Sequence, residues 1–487
     1  MTESNDTSLT GRVSRGFAWM LLLTIGSKLF GFATQMVLAR LLLPKDFGIM
    51  TMAYAAAAIP SMIRQTGIIQ ILVRKQSAFD RWVNAGFWME LALGTLAALL
   101  TIAVAPAACT FFHTQRLFGP LMIIASLAVL AALMTPPFAR LTLDLRFRDM
   151  STVGLGCNVF VMASSIGLAF LGCGVYSFFI PLPVAAILRA GLFWRMAPVR
   201  IKLDLQLHRW RPMFLDSMYL MGSGLFATIL GQADNVALGR FVTATEVGYY
   251  SVASNLSSQM LQLLSINLSG VLFSALSSLK DSPPRQTAAF FRAARLLALI
   301  GIPLCVLESA LAGPIIRLMY GQKFLGAVPL LRLLALASGI NLLFGPLQNF
   351  LQAQGRFGYL FKWLGLLVVV FVAVVSVAAW RSGALWVAGA VLGVAAAFQP
   401  AGMWLATRSR GGTWRQVAAV YMPPVLFSAA SLTPAAILFL LGSPTPAIAV
   451  AGVGAFFPIY VVLARLLRRS DFAELRAVAS RILRRHP

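Results

Sequence analysis

The stretch GFATQMVLARLLLPKDFGIMTMA, residues 31–53, returns 200 positions later as GQADNVALGRFVTATEVGYYSVA, residues 231–253. A second pair, PPFARLTLDLRF from Pro136 and PLQNFLQAQGRF from Pro346, agrees at an offset of 210. The residues that coincide without a gap include Gly31 and Gly231, Ala33 and Ala233, Leu38 and Leu238, Arg40 and Arg240, Gly48 and Gly248, Ala53 and Ala253, and, in the second pair, Arg146 and Arg356 and Phe147 and Phe357. Two blocks in the same order at nearly the same offset indicate an internal duplication.

Long apolar segments make up most of the chain. Of its 487 residues, 59% are hydrophobic and only 11% are charged. A helix needs about 20 apolar residues to cross the hydrocarbon of a membrane. The sequence predicts fourteen such segments, at residues 17–37, 47–72, 84–106, 117–137, 151–171, 174–196, 213–237, 246–275, 288–312, 326–350, 359–380, 383–406, 414–441 and 445–466.

The duplication organises these segments into two halves. Six predicted segments separate the copies, and because that number is even, both copies have the same orientation in the membrane. Parallel repeats of this kind are related by an axis along the membrane normal. The sequence therefore predicts an all-α polytopic membrane protein with two six-helix bundles, at 1–212 and 213–410, two further helices at 411–466 and a basic tail at 467–487.

The distribution of charge predicts the orientation. If the amino terminus is cytoplasmic and the segments alternate, 29 of the 40 Lys and Arg residues fall on the inner side and 7 on the outer side. This is the positive-inside bias, which predicts that both termini are cytoplasmic. The net charge of +25 then faces anionic lipid headgroups, and a nucleic-acid partner is not expected. The tail is predicted to be a basic amphipathic helix on the inner membrane surface.

A few ionisable residues fall inside the predicted segments, where a charge usually faces protein or a wet cavity. Lys28 and Arg64 lie well inside adjacent segments, and we expect these two cations to bind an anionic substrate. Glu90, on the third segment, is a candidate counter-ion, so a structural pair with Lys28 or Arg64 is the alternative interpretation. Four others lie near segment ends and are expected to reach the interface, namely Arg189, Asp216, Glu308 and Arg332.

A second polar group occurs in GQADNVALGR, where Asp234 stands between Gln232 and Asn235. Such a group could bind a cation or relay a proton, or it could be a hydrogen-bonding clamp between helices. At the repeat position of Lys28 the second half has Thr228. The two halves are therefore chemically unequal, with the cationic character in the first.

Each half also begins with a similar hairpin. A basic residue ends the first helix and an acidic residue, followed by a glycine, begins the next, where it suits the positive end of the helix dipole. We expect a capped, salt-bridged hairpin rather than a substrate site. The residues concerned are Arg40, Asp46 and Gly48 in the first half and Arg240, Glu246 and Gly248 in the second.

The chain resembles the polysaccharide flippases, the O-antigen and exopolysaccharide transporters of the multidrug/oligosaccharidyl-lipid/polysaccharide exporter superfamily. Three stretches carry the resemblance: GFAWMLLLTIGSKLFGFATQMVLARLLLPKDFGIMTMA from Gly16, QADNVALGRFVTATEVGYYSVASNLSSQM from Gln232 and GVLFSALSSLKD from Gly270. The resemblance implies two helical bundles that open alternately to either side of the membrane. It also implies a substrate of oligosaccharide repeat units on a polyprenyl diphosphate carrier.

The stretch SKLFGF is similar to the first helix of the related peptidoglycan-precursor flippases, where a basic residue follows the serine. Lys28 occupies that place, so the resemblance implies a cavity role for it. A second basic residue of that stretch is replaced here by Thr34. The partners implied are the lipid-linked oligosaccharide, membrane lipids and a polysaccharide polymerase or export machinery. No cofactor and no metal site are expected, and the coupling ion is not predicted.

Three other functions compete with a flippase. One is a multidrug or small-molecule exporter of the same superfamily. Another is a membrane polysaccharide polymerase or ligase, which is disfavoured because the predicted outer loops are short and the histidines, His113, His208 and His486, are isolated. The chain also lacks paired carboxylates suited to glycosyl transfer and a Gly-rich phosphate loop. The last is a scaffold, which has no need of cations at membrane depth.

Overall fold

A computed structural model describes the backbone of residues 26–28, 30–64, 67–75, 78–441 and 446–467, and their side chains except at 215–223, 260–271, 434–441, 446–453 and 467. The described residues form helices joined by turns. In chain order these are α1 (residues 26–28 and 30–41), α2 (Pro44–Met62), α3 (Ile68–Arg74), α4 (Phe79–Phe111), α5 (Phe118–Leu130), α6 (Thr135–Leu143), α7 (Phe147–Phe170), α8 (Tyr176–Phe179), α9 (Pro181–Met196), α10 (Trp210–Phe241), α11 (Ala244–Ser277), α12 (Pro283–Ala310), α13 (Ala312–Met319), α14 (Val328–Asn341), α15 (Phe344–Ala353), α16 (Phe357–Ser382), α17 (Ala384–Thr407), α18 (Trp414–Leu441) and α19 (Pro446–Leu467). The start of the first predicted segment and the predicted tail helix lie outside the described residues.

Helices suit a chain in lipid because each helix satisfies its own backbone polar groups. Within the described residues, nine helical stretches are long and apolar enough to cross a membrane. They are Phe79–Phe111, Gln115–Leu143, Phe147–Phe170, Tyr176–Met196, Pro283–Ala310, Gln322–Ala353, Phe357–Ser382, Ala384–Arg410 and Trp414–Thr433. Each coincides with a predicted segment, which confirms an all-α polytopic membrane protein. That the other five segments also cross stays a prediction.

The chain divides into two compact units, residues 1–248 and 249–487. The first unit contains α1 to α10 and the first residues of α11, and the second contains the rest of α11 and the helices after it. The bundle boundaries predicted from the repeat, 1–212 and 213–410, stay a prediction. Each unit is described by itself below.

The predicted second segment, 47–72, is two helices. Pro60 lies inside α2, as expected for a kink, but α2 ends two residues later, at Met62. The N–H groups of Ile63 and Arg64 bond to carbonyls only three residues back, at 3.3 and 3.2 Å, which tightens the last turn. Gly67 then begins α3 with φ 64°, a left-handed conformation that glycine adopts without a steric penalty.

The turn that precedes α7 in the first unit has the same geometry as the turn that precedes α16 in the second. A residue with positive φ, Leu145 at 54° or Gly355 at 69°, precedes an arginine. The N–H of that arginine bonds at 3.0 Å to the carbonyl five residues before it, and its φ and ψ are −82° and 49° for Arg146 and −84° and 49° for Arg356. The alignment of the two stretches at an offset of 210 therefore has matching local geometry.

These two arginines also hold equivalent helix ends. Nη1 of Arg146 donates to the carbonyl of Met196 at the end of α9, at 2.8 Å, and Nη1 of Arg356 donates to the carbonyl of Ala406 in α17, at 3.0 Å. The second partner of each differs, because Arg146 bonds Asp149 at 2.7 Å whereas Arg356 stacks 4.7 Å from the ring of Tyr359. An arginine suits this position because its fork offers several donors at once.

The core of the first unit includes an apolar cluster between α3, α4 and α10. Ile68 and Leu72 of α3, Met89 of α4 and Met213 of α10 are buried members of this cluster. Further along α4, small residues allow a close approach of α5, as in many membrane helix pairs. A Cβ on Gly94 would lie 2.6 Å from the carbonyl oxygen of Ala128.

The second unit packs around α12. Phe290 stacks on Phe350 with ring centroids 4.5 Å apart, inside a cluster that also takes residues from α11 and from α15 to α18. Pro303 interrupts the hydrogen-bond ladder of α12, so the carbonyl of Leu299 loses its helical partner. The hydroxyl of Tyr460, on α19, donates to that carbonyl at 2.8 Å.

We expect Tyr460→Phe to lower stability by about 1 kcal/mol, because it leaves the buried Leu299 carbonyl without a donor. Buried Cys109, Cys157 and Cys305 allow unfolding in detergent to be followed with a thiol-reactive fluorogenic dye. The melting temperature should fall measurably for Tyr460→Phe. The control is Tyr176→Phe, at a side chain that is 40% exposed. Equal shifts for the two variants would contradict the assigned role.

Candidate functional site

The residues predicted from the sequence as a substrate or coupling site all belong to the first unit. Lys28 is on α1, Arg64 follows α2, Glu90 is on α4 and Asp234 is on α10. In this unit α2 packs against both α4 and α10, so these elements are neighbours. The structure therefore places Arg64, Glu90 and Asp234 in or next to adjoining elements of one compact unit, to which Lys28 also belongs.

Lys28 is exposed at one end of a packed face of α1. Residues three or four apart share a helix face, so Lys28, Gly31 and Gln35 form one stripe that continues to Leu38 and Leu42. Leu38 and Leu42 are buried, Gly31 and Gln35 are half-buried and Lys28 is exposed. The opposite stripe, which contains Phe30, is exposed along its length. The lysine thus lies on the face of α1 that packs elsewhere against protein.

Two polar groups lie beyond Lys28 on α1. Oε1 of Gln35 is buried and has no hydrogen-bond partner among the described residues. Thr34, which replaces the second basic residue of the resembled stretch, is buried and donates to the carbonyl of Phe30 at 3.0 Å. Its hydroxyl is therefore engaged within its own helix, while the amide of Gln35 retains an unused acceptor.

Arg64 lies in the turn after α2 and not inside a continuous helix. Its side chain is half-buried, and its Nε is buried without a hydrogen-bond partner among the described residues. A buried guanidinium N–H without an acceptor is unfavourable unless a ligand or water completes it. The Nε–H of Arg64 could therefore donate a hydrogen bond to a bound ligand.

Glu90 is buried, with 7% of its surface exposed. It follows Met89, a member of the cluster between α3, α4 and α10, and it lies one turn after Gly86. A Cβ on Gly86 would lie next to the side chains of Ile68 and Met213. A carboxyl in such surroundings suits a counter-ion. Its role beside Lys28 or Arg64 stays a prediction.

The polar group on α10 is half-buried. Nδ2 of Asn235 donates to Oε1 of Gln232 at 3.3 Å, and the backbone N–H of Asn235 donates to Oδ1 of Asp234 at 2.8 Å. Both of these bonds stay within α10. These bonds hold the three polar residues together on one helix. Such a group suits either an ion site or an interhelical clamp.

The two predicted hairpins differ in their acidic residues. Asp46 is buried in the first turn of α2 and accepts the N–H of Leu43 at 3.1 Å. Glu246 is exposed in the first turn of α11. Arg40 is exposed, and Arg240 donates through Nη1 to the carbonyl of Phe111 at 3.0 Å. The carboxylate of Asp46 thus caps its helix, whereas that of Glu246 faces outward.

The glycines of the two hairpins pack against each other within the first unit. A Cβ on Gly48 would lie 1.7 Å from the carbonyl oxygen of Ala244, and a Cβ on Gly248 would lie 1.9 Å from that of Pro44. The contact is reciprocal, because Pro44 and Ala244 are themselves 200 residues apart. The two helix starts can approach this closely only because neither glycine has a side chain.

Two of the ionisable residues near predicted segment ends lie against protein in the structure. Arg189, expected near a segment end, donates through Nη2 to Oδ1 of Asn158 at 3.1 Å and joins α9 to α7. Glu308, expected at the interface, is buried with 5% of its surface exposed. The side chain of Asp216 is not among those described. Hydropathy places such residues along a helix but does not reveal which neighbour they face.

The side chains that most often bind metal ions in proteins are His, Cys, Asp and Glu. Within the described part of the chain, no three His, Cys, Asp or Glu side chains come together in a group that could hold a metal ion. The groups present at the candidate site are the cations Lys28 and Arg64, the buried carboxyl of Glu90 and the polar group around Asp234.

Comparison with known proteins identifies relatives over most of the chain. The succinoglycan biosynthesis transport protein ExoT of Rhizobium meliloti (strain 1021) is 26% identical over 365 residues, covering 72% of this chain and 71% of that protein. The lipopolysaccharide biosynthesis protein WzxC of Escherichia coli (strain K12) is 22% identical over 393 residues, covering 78% of each.

Among solved structures, the lipid II flippase MurJ in an inward closed conformation has a similar fold. The TM-score is 0.75 at 12% identity, with 92% of this chain and 98% of that chain covered. A family model described as polysaccharide biosynthesis protein matches residues 37–329. Since that match spans more than half of the chain, the protein belongs to this family of polysaccharide biosynthesis proteins.

Proposed function

We infer that this protein is a flippase that moves oligosaccharide repeat units, linked to polyprenyl diphosphate, from the inner to the outer leaflet of the bacterial cytoplasmic membrane. The units would serve synthesis of a surface polysaccharide or exopolysaccharide. Membership of the polysaccharide biosynthesis family supports this role. The names of ExoT as a transport protein and of MurJ as a lipid II flippase support transport over an enzymatic step.

The observation that carries the proposal is the cationic character of the first unit. Lys28 is exposed on a face of α1 that is packed further along, and the buried Nε of Arg64 has no hydrogen-bond partner in the part of the chain that the structure describes. A diphosphate cannot cross hydrocarbon unaided and needs fixed positive charge along a wet path. Lysine acts on phosphate as a point charge, and arginine adds directed N–H groups.

The orientation follows from the distribution of basic residues. We place both termini in the cytoplasm, since most Lys and Arg residues then face anionic headgroups on the inner side. The diphosphate and sugars would pass beside Lys28 by alternating access, while the polyprenyl tail stays in the bilayer. A polysaccharide polymerase or export machinery would consume the flipped units.

Purified protein in liposomes provides a direct test. The probe is a short polyprenyl diphosphate linked to a sugar that carries a fluorophore, and an impermeant reductant bleaches only the outer leaflet. We expect bleaching to proceed beyond the outer-leaflet pool in the presence of the protein. A plateau equal to that of empty liposomes would contradict a flippase, and equal transfer of a cationic drug in place of the probe would favour a drug exporter.

A further inference from the structure

The second unit contains a buried carboxyl group that the proposed transport role does not yet use. Glu308 lies in the last turn of α12, and 5% of its surface is exposed. Its Oε2 is buried and has no hydrogen-bond partner among the described residues. The stretch that contains it, Pro283–Ala310, is one of those able to cross a membrane. An acidic side chain in such a position is by default a candidate for a functional site.

The side of α12 that bears Glu308 packs against α14. Cys305, three residues before Glu308 and on the same face, is buried against Gly339 of α14, where a Cβ would lie 3.1 Å from that of Cys305. Next to Glu308, the hydroxyl of Ser309 donates to the carbonyl of Arg332 on α14, at 2.9 Å. These contacts fix the register of the two helices at the level of the carboxyl.

The basic side chains on the elements next to Glu308 are exposed, whereas its carboxyl is buried. Arg332 on α14 and Arg317 on α13 are both exposed. On α18, Tyr421 packs in the cluster around the other half of α12, and residues 434–441 contain no ionisable side chain. Cys305 is thus the ionisable neighbour on the same helix face, and it offers no positive charge.

A carboxylate is poorly accommodated here. An unpaired negative charge away from water is strongly unfavourable, and the carbonyls at the end of α12 present the negative pole of the helix dipole. The neutral acid avoids both penalties, so the surroundings of Glu308 favour the protonated form over the carboxylate in this conformation. To release the proton, the carboxyl must reach water, which requires α12 and α14 to separate at this end.

We propose that Glu308 is the proton-binding site that couples the transport cycle to a proton gradient across the membrane. The step is a proton transfer alone: in one state of the alternating-access cycle the carboxyl takes up a proton from water on one side of the membrane, and in the opposite state the acid gives that proton to water on the other side, with α12 and α14 parted in whichever of these states opens this end. Arg332 on α14 and Arg317 on α13, the two elements next to this end of α12, are exposed. This proposal depends on the proposed flippase function in one respect only, namely the transport step that the proton gradient drives.

Chemical modification tests the site without any transport. Dicyclohexylcarbodiimide is a hydrophobic reagent that reacts with protonated carboxyls, and peptide mass spectrometry locates the adduct. We expect the intact protein to be modified at Glu308, with the yield falling as pH is raised, and Glu308→Gln to lose that adduct. No adduct at Glu308 at any pH, or a yield that does not change with pH, would overturn the proposal.

The liposome assay then tests the coupling. A gradient of one pH unit is worth at most about a tenfold change in rate. We expect the flipping rate of the parent protein to change with the pH gradient. The flipping rate of Glu308→Gln should be the same with and without the gradient. A response that persists in Glu308→Gln would overturn the coupling role and leave the flippase intact. Absence of flipping in the parent would count against the flippase alone, because the modification experiment stands independently.

Discussion

Replacing Lys28 by alanine should reduce export of lipid-linked oligosaccharide about ten- to a hundredfold at equal protein level, since a hydrogen bond to a charged group contributes about 1.5–3 kcal/mol. The lysine is exposed, so its removal does not disturb a packed core. Lys28→Arg keeps the charge and should retain most of the export. The measurement is the rate of probe transfer in liposomes, together with polysaccharide yield in cells.

Lys362→Ala is the matched control, because Lys362 is exposed on α16 in the second unit and is predicted to face the cytoplasm. We expect that variant to export at the parental rate. If Lys28→Ala also matched the parent, the cation on α1 would have no part in transport. If Lys28→Arg were as defective as Lys28→Ala, shape rather than charge would be required at this position.

The second large effect concerns the fold. Gly48→Ala should destabilise the protein by about 1–3 kcal/mol or more, a large share of the total stability, because the added Cβ overpacks a backbone contact. The atom it meets, the carbonyl oxygen of Ala244 at 1.7 Å, belongs to a helix start and cannot rotate away. Gly248→Ala should behave alike, since the contact is reciprocal. Size-exclusion chromatography of detergent extracts should show a reduced monodisperse peak for both.

Gly154→Ala is the control for a helical glycine. A Cβ at Gly154, on α7, would meet nothing within 4 Å, so alanine should be neutral or stabilising by about 0.5–1 kcal/mol. Parental yields of both Gly48→Ala and Gly154→Ala would show that the two hairpins do not approach as closely as described.

The sequence was a good guide to helices and to repeated turns, for physical reasons. Apolar runs of membrane length can satisfy their backbone only as helices, so the nine spans follow directly from hydropathy. The aligned Arg146 and Arg356 prove to make the same contact with a helix end in each unit. The break between α2 and α3 was missed, because it depends on the left-handed Gly67 as well as on Pro60.

The candidate site was predictable in its residues but not in their environments. A cation inside an apolar segment, such as Lys28, stands out in any sequence, and so does the group around Asp234. Burial is a property of neighbouring helices, so the sequence could not distinguish the exposed Lys28 from the buried Glu308. For the same reason Glu308 was assigned to the interface from its distance to a segment end alone.

The most direct test of the flippase uses cells that lack this protein but keep the rest of the pathway. Lipid-linked sugars are extracted after intact cells are exposed to an impermeant glycan label. The account predicts that unpolymerised repeat units accumulate and escape the label, because they are confined to the inner leaflet. Accumulated units that carry the label would show that flipping continues without the protein and would contradict the account.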